Sequence, residues 1–172
     1  MIVCELQSCV GCRMCEVACS SFHFTAVSPV MARIRVAKLE ETGIDLAVAC
    51  LSCLEKPCLE CPTEALTVGV QGQIVLDAGL CGGCRVCVEA CPIGAVGFHE
   101  GLPLFCDLCA GAPACVKVCP TQCLAYVEDA RERPLRPFMG SEGNPAQKRA
   151  DYARVLGEPI RHDWACGARV DS

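Results

Sequence analysis

Apolar runs broken by short polar turns occur at two places in the chain. "RIRVAKL" (33–39) and "IDLAVAC" (44–50) flank "EETG", and "TVGV" (67–70) is followed by a turn at Gln71 to Gln73 and then "IVLD" (74–77). Both stretches predict β-hairpins with glycine at the turn, one delivering Cys50 and the other leading on to Cys81. A different period appears near the end. Asn144 and Pro145 read as cap and first turn, and Gly157 as a stop, for a helix over "AQKRADYARVL" (146–156) with Tyr152, Val155 and Leu156 on one side. "CPTEAL", "CPIGAV" and "CPTQCL" share one grammar, and each predicts a short helix with its proline at the first helical position. The longest uncharged apolar stretch, Leu46 to Leu54, is far too short to span a bilayer. The expected fold class is α+β, built from short elements.

Composition changes what must hold such a fold together. The chain has 172 residues, 5% aromatic residues and 19 cysteines. A large aromatic and aliphatic core is not available, whereas metal-thiolate bonds can stabilise a scaffold that buries too little apolar surface. Disulfides do not explain the cysteines: neighbouring thiols on one short loop cannot all reach bridging geometry. No secretory or twin-arginine leader is read ahead of Cys9, so the expected compartment is the reducing cytoplasm.

The cysteines fall into quartets. Cys9, Cys12, Cys15 and Cys19 in "CVGCRMCEVACS" have spacings of two, two and three, and Cys81, Cys84, Cys87 and Cys91 in "CGGCRVCVEACP" repeat them. Cys50, Cys53, Cys58 and Cys61 in "CLSCLEKPCLECP", and Cys106, Cys109, Cys115 and Cys119 in "CDLCAGAPACVKVCP", are looser versions. Three cysteines two residues apart let a tight loop wrap one iron-sulfur cube. In the bacterial ferredoxin run the fourth cysteine ligates the other cluster of a pair.

Quartets one and three, the "CP" continuations and "CDLCAGAPACVKVCPT" resemble the four-cluster ferredoxin-like electron-transfer subunits of bacterial and archaeal oxidoreductase complexes, over roughly residues 1 to 129. The resemblance implies tandem bacterial-ferredoxin-like modules with short helices and hairpins around four 4Fe-4S clusters. It pairs quartet one with four and quartet two with three. Cys9, Cys12, Cys15 and Cys119 would hold one cluster; Cys106, Cys109, Cys115 and Cys19 a second; Cys50, Cys53, Cys58 and Cys91 a third; Cys81, Cys84, Cys87 and Cys61 a fourth. Two departures stand out: Ser20 replaces the proline, and only two residues separate Cys58 from Cys61 where the family has three.

Other chemistry fits less well. Cys53, Cys58 and Cys61, with Cys91 beyond, match a plant-type 2Fe-2S spacing, but that strands Cys50 and breaks the third quartet. Zinc ribbons use two pairs around a long insert, not continuous runs. His23, His99 and His162 sit outside any ligand spacing, and no glycine-rich loop marks a nucleotide site. Cys123 takes the slot that Ala65 and Ala95 fill in sister repeats and reads as an inert buried thiol, with Cys4 packing nearby; Cys166, in the tail, has no assigned role. Arg13 and Arg85 occupy equivalent places where a positive charge favours a reduced cluster. Gly82 and Gly83, with Gly11 as the match in quartet one, let backbone amides approach sulfur.

Charge narrows the partners. Residues 1–130 hold 7 Lys+Arg and 14 Asp+Glu, the remainder 8 and 6, which gives the net −5. With four oxidised clusters the total approaches roughly −13, so nucleic acid is not an expected ligand. A basic face on a partner enzyme is. The chain divides into a cluster domain (1–130) and a proline- and glycine-rich link with a helical tail (131–172), read as an arm that docks on a partner. The resemblance implies a non-catalytic, cytoplasmic subunit beside a larger tungsten or molybdenum bis-pterin enzyme, nearest to the small subunit of tungsten-dependent aldehyde oxidoreductases, with a flavin- or NAD-linked subunit as a further partner. A hydrogenase, formate dehydrogenase or CO dehydrogenase partner, or a free-standing polyferredoxin shuttle, would use the same wire. Exposed cluster ends could also let copies stack.

Overall fold

A computed structural model describes residues 1–128 and 135–165. Among the described residues the strands form four two-stranded antiparallel sheets, which with the helices make an α+β fold. The predicted hairpins are β2 (Ile34–Leu39) with β3 (Ile44–Ala49) and β4 (Leu66–Val68) with β5 (Ile74–Leu76). Two pairings lack a local signature in the sequence. β6 (Gly97–His99) pairs with β7 (Leu102–Leu104), and β1 (Ile2–Cys4) pairs with β8 (Leu124–Tyr126), bringing Ile2 opposite Tyr126. The core is aliphatic: Ile34, Ile44, Val48, Ile93, Val96 and Leu108 are nearly inaccessible. Each stabilises the fold by about 1.5–3 kcal/mol, and cysteines lie among them in one continuous cluster.

The helices lie on the other side of the fourth cysteines from where the sequence puts them. α1 (Met14–Phe24), α2 (Val86–Ala90) and α3 (Ala114–Lys117) begin around the third cysteine of a quartet, and Pro62, Pro92 and Pro120 sit in turns. Proline cannot continue a helix and commonly follows its last residue. Cys91 is thus the C-cap of α2. Ser20 explains why α1 alone runs 11 residues: no proline stops it after Cys19. Its Oγ, fully buried, donates to the Val17 carbonyl and accepts from the Ser28 N–H at 3.2 Å. Ser20→Pro is expected to end α1 early and to cost about 3 kcal/mol, read as a lowered Tm and reduced helical circular dichroism.

The tail departs from the arm that the sequence suggests. α4 (Pro145–Ala165) lies back on the body against β2 and β3. Lys148, Tyr152, Ala153 and Gly157 form its buried face, while Val155 points outward. The cap is as read: Asn144 Oδ1 accepts from the Ala146 and Gln147 N–H groups, and Gln147 Oε1 accepts from the Asn144 N–H. Gly157 does not stop the helix. It lets the helix approach the sheet, because a Cβ there would collide with Ile44. Phe138 packs edge-on against Tyr152 at 4.9 Å. Lys148 Nζ donates to the Glu89 carbonyl and the Arg149 guanidinium to the Gly94 carbonyl, each at 2.6 Å. Residues 131–134 of the link, and Cys166, fall outside the described residues. Among the described residues, no helix is long and apolar enough to cross a membrane.

Candidate metal centres

The cysteine loops share a backbone motif that composition hides. The second residue after each quartet's first cysteine has a left-handed conformation: Gly11, Ser52, Gly83 and Leu108, with φ of 60°, 49°, 69° and 60°. The residue after the second cysteine does so in three of them, at Arg13, Arg85 and Ala110, and the third residue after the fourth cysteine does so at Glu64, Gly94 and Gln122. Non-glycine residues in this region cost on the order of 1–3 kcal/mol each and persist where the surroundings fix them. Here they coil each loop around a common centre. Arg13 and Arg85 therefore have a backbone role, and the Arg85 guanidinium lies over the Phe98 ring, 4.6 Å from its centroid.

Three cavities collect cysteines from separate loops. One is lined by Cys9, Cys12, Cys15 and Cys119, with Cys123 beside them. A second is lined by Cys19, Cys106, Cys109 and Cys115. A third is lined by Cys61, Cys81, Cys84 and Cys87, with Gly82 and Gly83 in its wall. The remaining cysteines form an electrostatic group, since the charge of Cys91 acts on Cys50, Cys53 and Cys58 alike. Cys61 lines the third cavity together with Cys81, Cys84 and Cys87, whereas Cys53 and Cys58, its partners in a plant-type 2Fe-2S reading, do not.

Electrostatic influence passes between groups: the charge of Cys15 raises Cys115, that of Cys106 raises Cys50, and that of Cys87 raises Cys58. The Cys9 group and the Cys81 group each carry an exposed cysteine, Cys12 and Cys84.

The donor set suits a soft, thiolate-bound cluster. Burial pushes the Cys15 and Cys58 thiols up to about 12 and the Cys87 and Cys106 thiols up to about 11. It raises Cys19, Cys50, Cys53 and Cys115 as well. Such thiols keep their protons until a metal displaces them, so loading releases protons. Neighbouring donors meet the sulfurs: the Arg33 N–H to Cys19 Sγ and the Ala95 N–H to Cys91 Sγ, both at 3.2 Å. Thr63 Oγ1 lies 3.5 Å from Cys61 Sγ and Thr121 Oγ1 3.7 Å from Cys119 Sγ. The Thr63 hydroxyl holds Cys61 below the usual thiol range.

His23, outside any ligand spacing in the sequence, stands 3.8 Å from Cys109 Sγ and 3.4 Å from Asp107, which also pairs with Arg33 at 2.6 Å. Cys4 and Cys123 are buried as expected, and their Sγ atoms and that of Cys9 lie within 4.8 Å of one another.

Comparison with known proteins agrees with a cluster-binding chemistry. Residues 74–96 match the family described as 4Fe-4S binding domain. The chain is 42% identical over 88 residues to the aliphatic sulfonate oxidoreductase, polyferredoxin-like subunit of Pyrococcus furiosus, covering 50% of each chain. It is 36% identical over 104 residues to formate hydrogenlyase subunit 2 of Escherichia coli, covering 60% of this chain and 50% of that one. The chain spans about half the length of these curated relatives. Among solved structures, the active site complex BamBC of benzoyl coenzyme A reductase aligns over 73% of this chain and 76% of that one, with 29% identity and a TM-score of 0.43.

Proposed function

We propose that this chain is a non-catalytic, cytoplasmic electron-transfer subunit holding four 4Fe-4S clusters in a row. The ligand sets would be Cys9, Cys12, Cys15 and Cys119; Cys19, Cys106, Cys109 and Cys115; Cys50, Cys53, Cys58 and Cys91; and Cys61, Cys81, Cys84 and Cys87. The observation that carries the reading is the make-up of the three cavities, each gathering three cysteines of one loop and one from a distant loop. That interlocking is what tandem ferredoxin-like modules require. A 4Fe-4S cluster, when bound, supplies one-electron chemistry at a potential set by charge, hydrogen bonds to sulfur and exposure. The chain's contribution is to fix spacing, to bury the middle sites and to aim N–H and O–H donors at the thiolates.

The exposed edges at Cys12 and Cys84 serve as entry and exit points. We assign one to a larger catalytic oxidoreductase subunit, with a tungsten or molybdenum bis-pterin enzyme of the aldehyde oxidoreductase type as first candidate. The other faces a second carrier, such as a flavin- or NAD-linked subunit. Residues 1–130 form the cluster domain, and partner docking belongs to the outward face of α4 rather than to a free arm.

The test is an anaerobic affinity isolation from the native cell with metal analysis. About sixteen irons per chain, four per cube, with stoichiometric tungsten or molybdenum and a large subunit, is the expected result. Nickel would move the partner to a hydrogenase or CO dehydrogenase, sixteen irons without a partner would make the chain a free shuttle, and zinc in place of iron would overturn the reading.

A further inference from the structure

We infer that Cys123 is an S–H hydrogen-bond donor to the Cys119 thiolate of the Cys9 site, with the Cys4 S–H donating to Cys123 behind it, and that the pair raises the reduction potential of this one site above that of its sisters. The inference rests on the cluster-binding reading above.

Three observations carry it. Cys123 Sγ lies 3.4 Å from Cys119 Sγ, and Cys4 Sγ 3.9 Å from Cys123 Sγ. Both surplus thiols are buried, each 6% exposed, where water cannot serve them. Cys123 also lines the cavity of Cys9, Cys12, Cys15 and Cys119, making five thiols where four suffice. A thiolate bound to iron has no proton to give, so in the loaded site the only S–H groups of this cluster of sulfurs belong to Cys4 and Cys123. Donation to a ligand thiolate offsets its negative charge. The more negative, reduced state gains most from that, and the potential rises.

The chain contains its own control. Cys123 is the fourth residue after Cys119; the matching residues after Cys61 and Cys91 are Ala65 and Ala95, both buried. Ala65 lines the Cys81 cavity just where Cys123 lines the first. Cys123→Ala therefore installs the side chain that the fold already accommodates twice. A higher potential at this end gives the row a direction: a single electron rests at the Cys12 end rather than the Cys84 end.

The experiment is an anaerobic redox titration, followed by electron paramagnetic resonance, of wild-type holoprotein, Cys123→Ala, Cys123→Ser and Cys4→Ala, with iron counted in each. For Cys123→Ala we expect unchanged iron and one downshifted signal, the one that Cys12→Ala removes. The shift expected is about tenfold in the reduction equilibrium, about 59 mV for one electron. Cys123→Ser keeps an O–H donor and should recover part of the shift, and Cys4→Ala should lower the same signal by less. Unmoved potentials, or loss of one cluster's iron from Cys123→Ala, would overturn the inference. Wild-type iron content tests the underlying reading separately.

Discussion

Cys58→Ala is expected to reduce the iron of the holoprotein from about sixteen to about twelve per chain and to abolish transfer between its two ends. Cys58 sits on a 3-10 turn (Pro57–Leu59), is 8% exposed and feels the charges of Cys53 and Cys91 of its own group and of Cys87 of the next. In the row of four clusters proposed above, an interior vacancy separates the ends, whereas a terminal one only shortens the row. Cys12→Ala, at an exposed terminal position, should therefore lose the same four irons while the remaining three sites still exchange electrons through the Cys84 end. Stopped-flow reduction by a small donor, with a protein acceptor added second, separates the two cases. Equal end-to-end rates in wild type and Cys58→Ala would show that the groups do not act in series. Metal binding is also folding free energy, so both variants should melt below wild type, with Cys58→Ala lower because its site is buried.

A comparably large effect on stability is expected at Gly94. Its φ is +61°, a conformation that strains any other residue by about 1–3 kcal/mol. A Cβ would also collide with the Pro145 carbonyl oxygen at the first turn of α4, and overpacking adds about 1–3 kcal/mol. Gly94→Val should therefore cost about 4 kcal/mol, a Tm lowered by roughly 8–16 °C. Lifting the helix relieves the collision but breaks the bond from Arg149 to the Gly94 carbonyl and, with it, the Lys148 anchor on Glu89. Limited proteolysis should then cut within 135–161. Gly101→Ala is the control: φ is +82° but nothing lies within 4 Å, so only the strain remains and the tail should stay protected.

The sequence makes some of this plain and hides the rest for identifiable reasons. The hairpins of 33–50 and 67–77 are local and carry their turns with them, so they can be read directly. The pairing of β1 with β8 joins three-residue strands from opposite ends of the described body, too short for any period to show. The sequence does not place the short helices, because proline is equally at home just inside a helix start and just after a helix end; only the chain around Cys91 decides between them. Likewise Gly157 reads as a stop by residue type, while its role is set by Ile44, which lies far away in sequence. Cysteine spacing makes the loops legible, but the left-handed turns at Ser52, Leu108, Glu64 and Gln122 carry no glycine to announce them. The positions of Cys4 and Cys123 beside Cys9 follow from the β1–β8 register, which places Cys4 opposite Leu124.

That register also dictates a timetable. During synthesis the cavity of Cys61, Cys81, Cys84 and Cys87 has all its sulfurs once residue 87 has left the ribosome, and the group around Cys58 needs only Cys91 more. The Cys9 cavity waits for Cys119, and β1 finds no partner until Leu124 to Tyr126 emerge. Contacts of such long sequence separation form late. The thiols of the Cys9 group are thus enclosed after those that follow them in the chain, and this segment must be shielded from oxidants until residues 119–126 have been made.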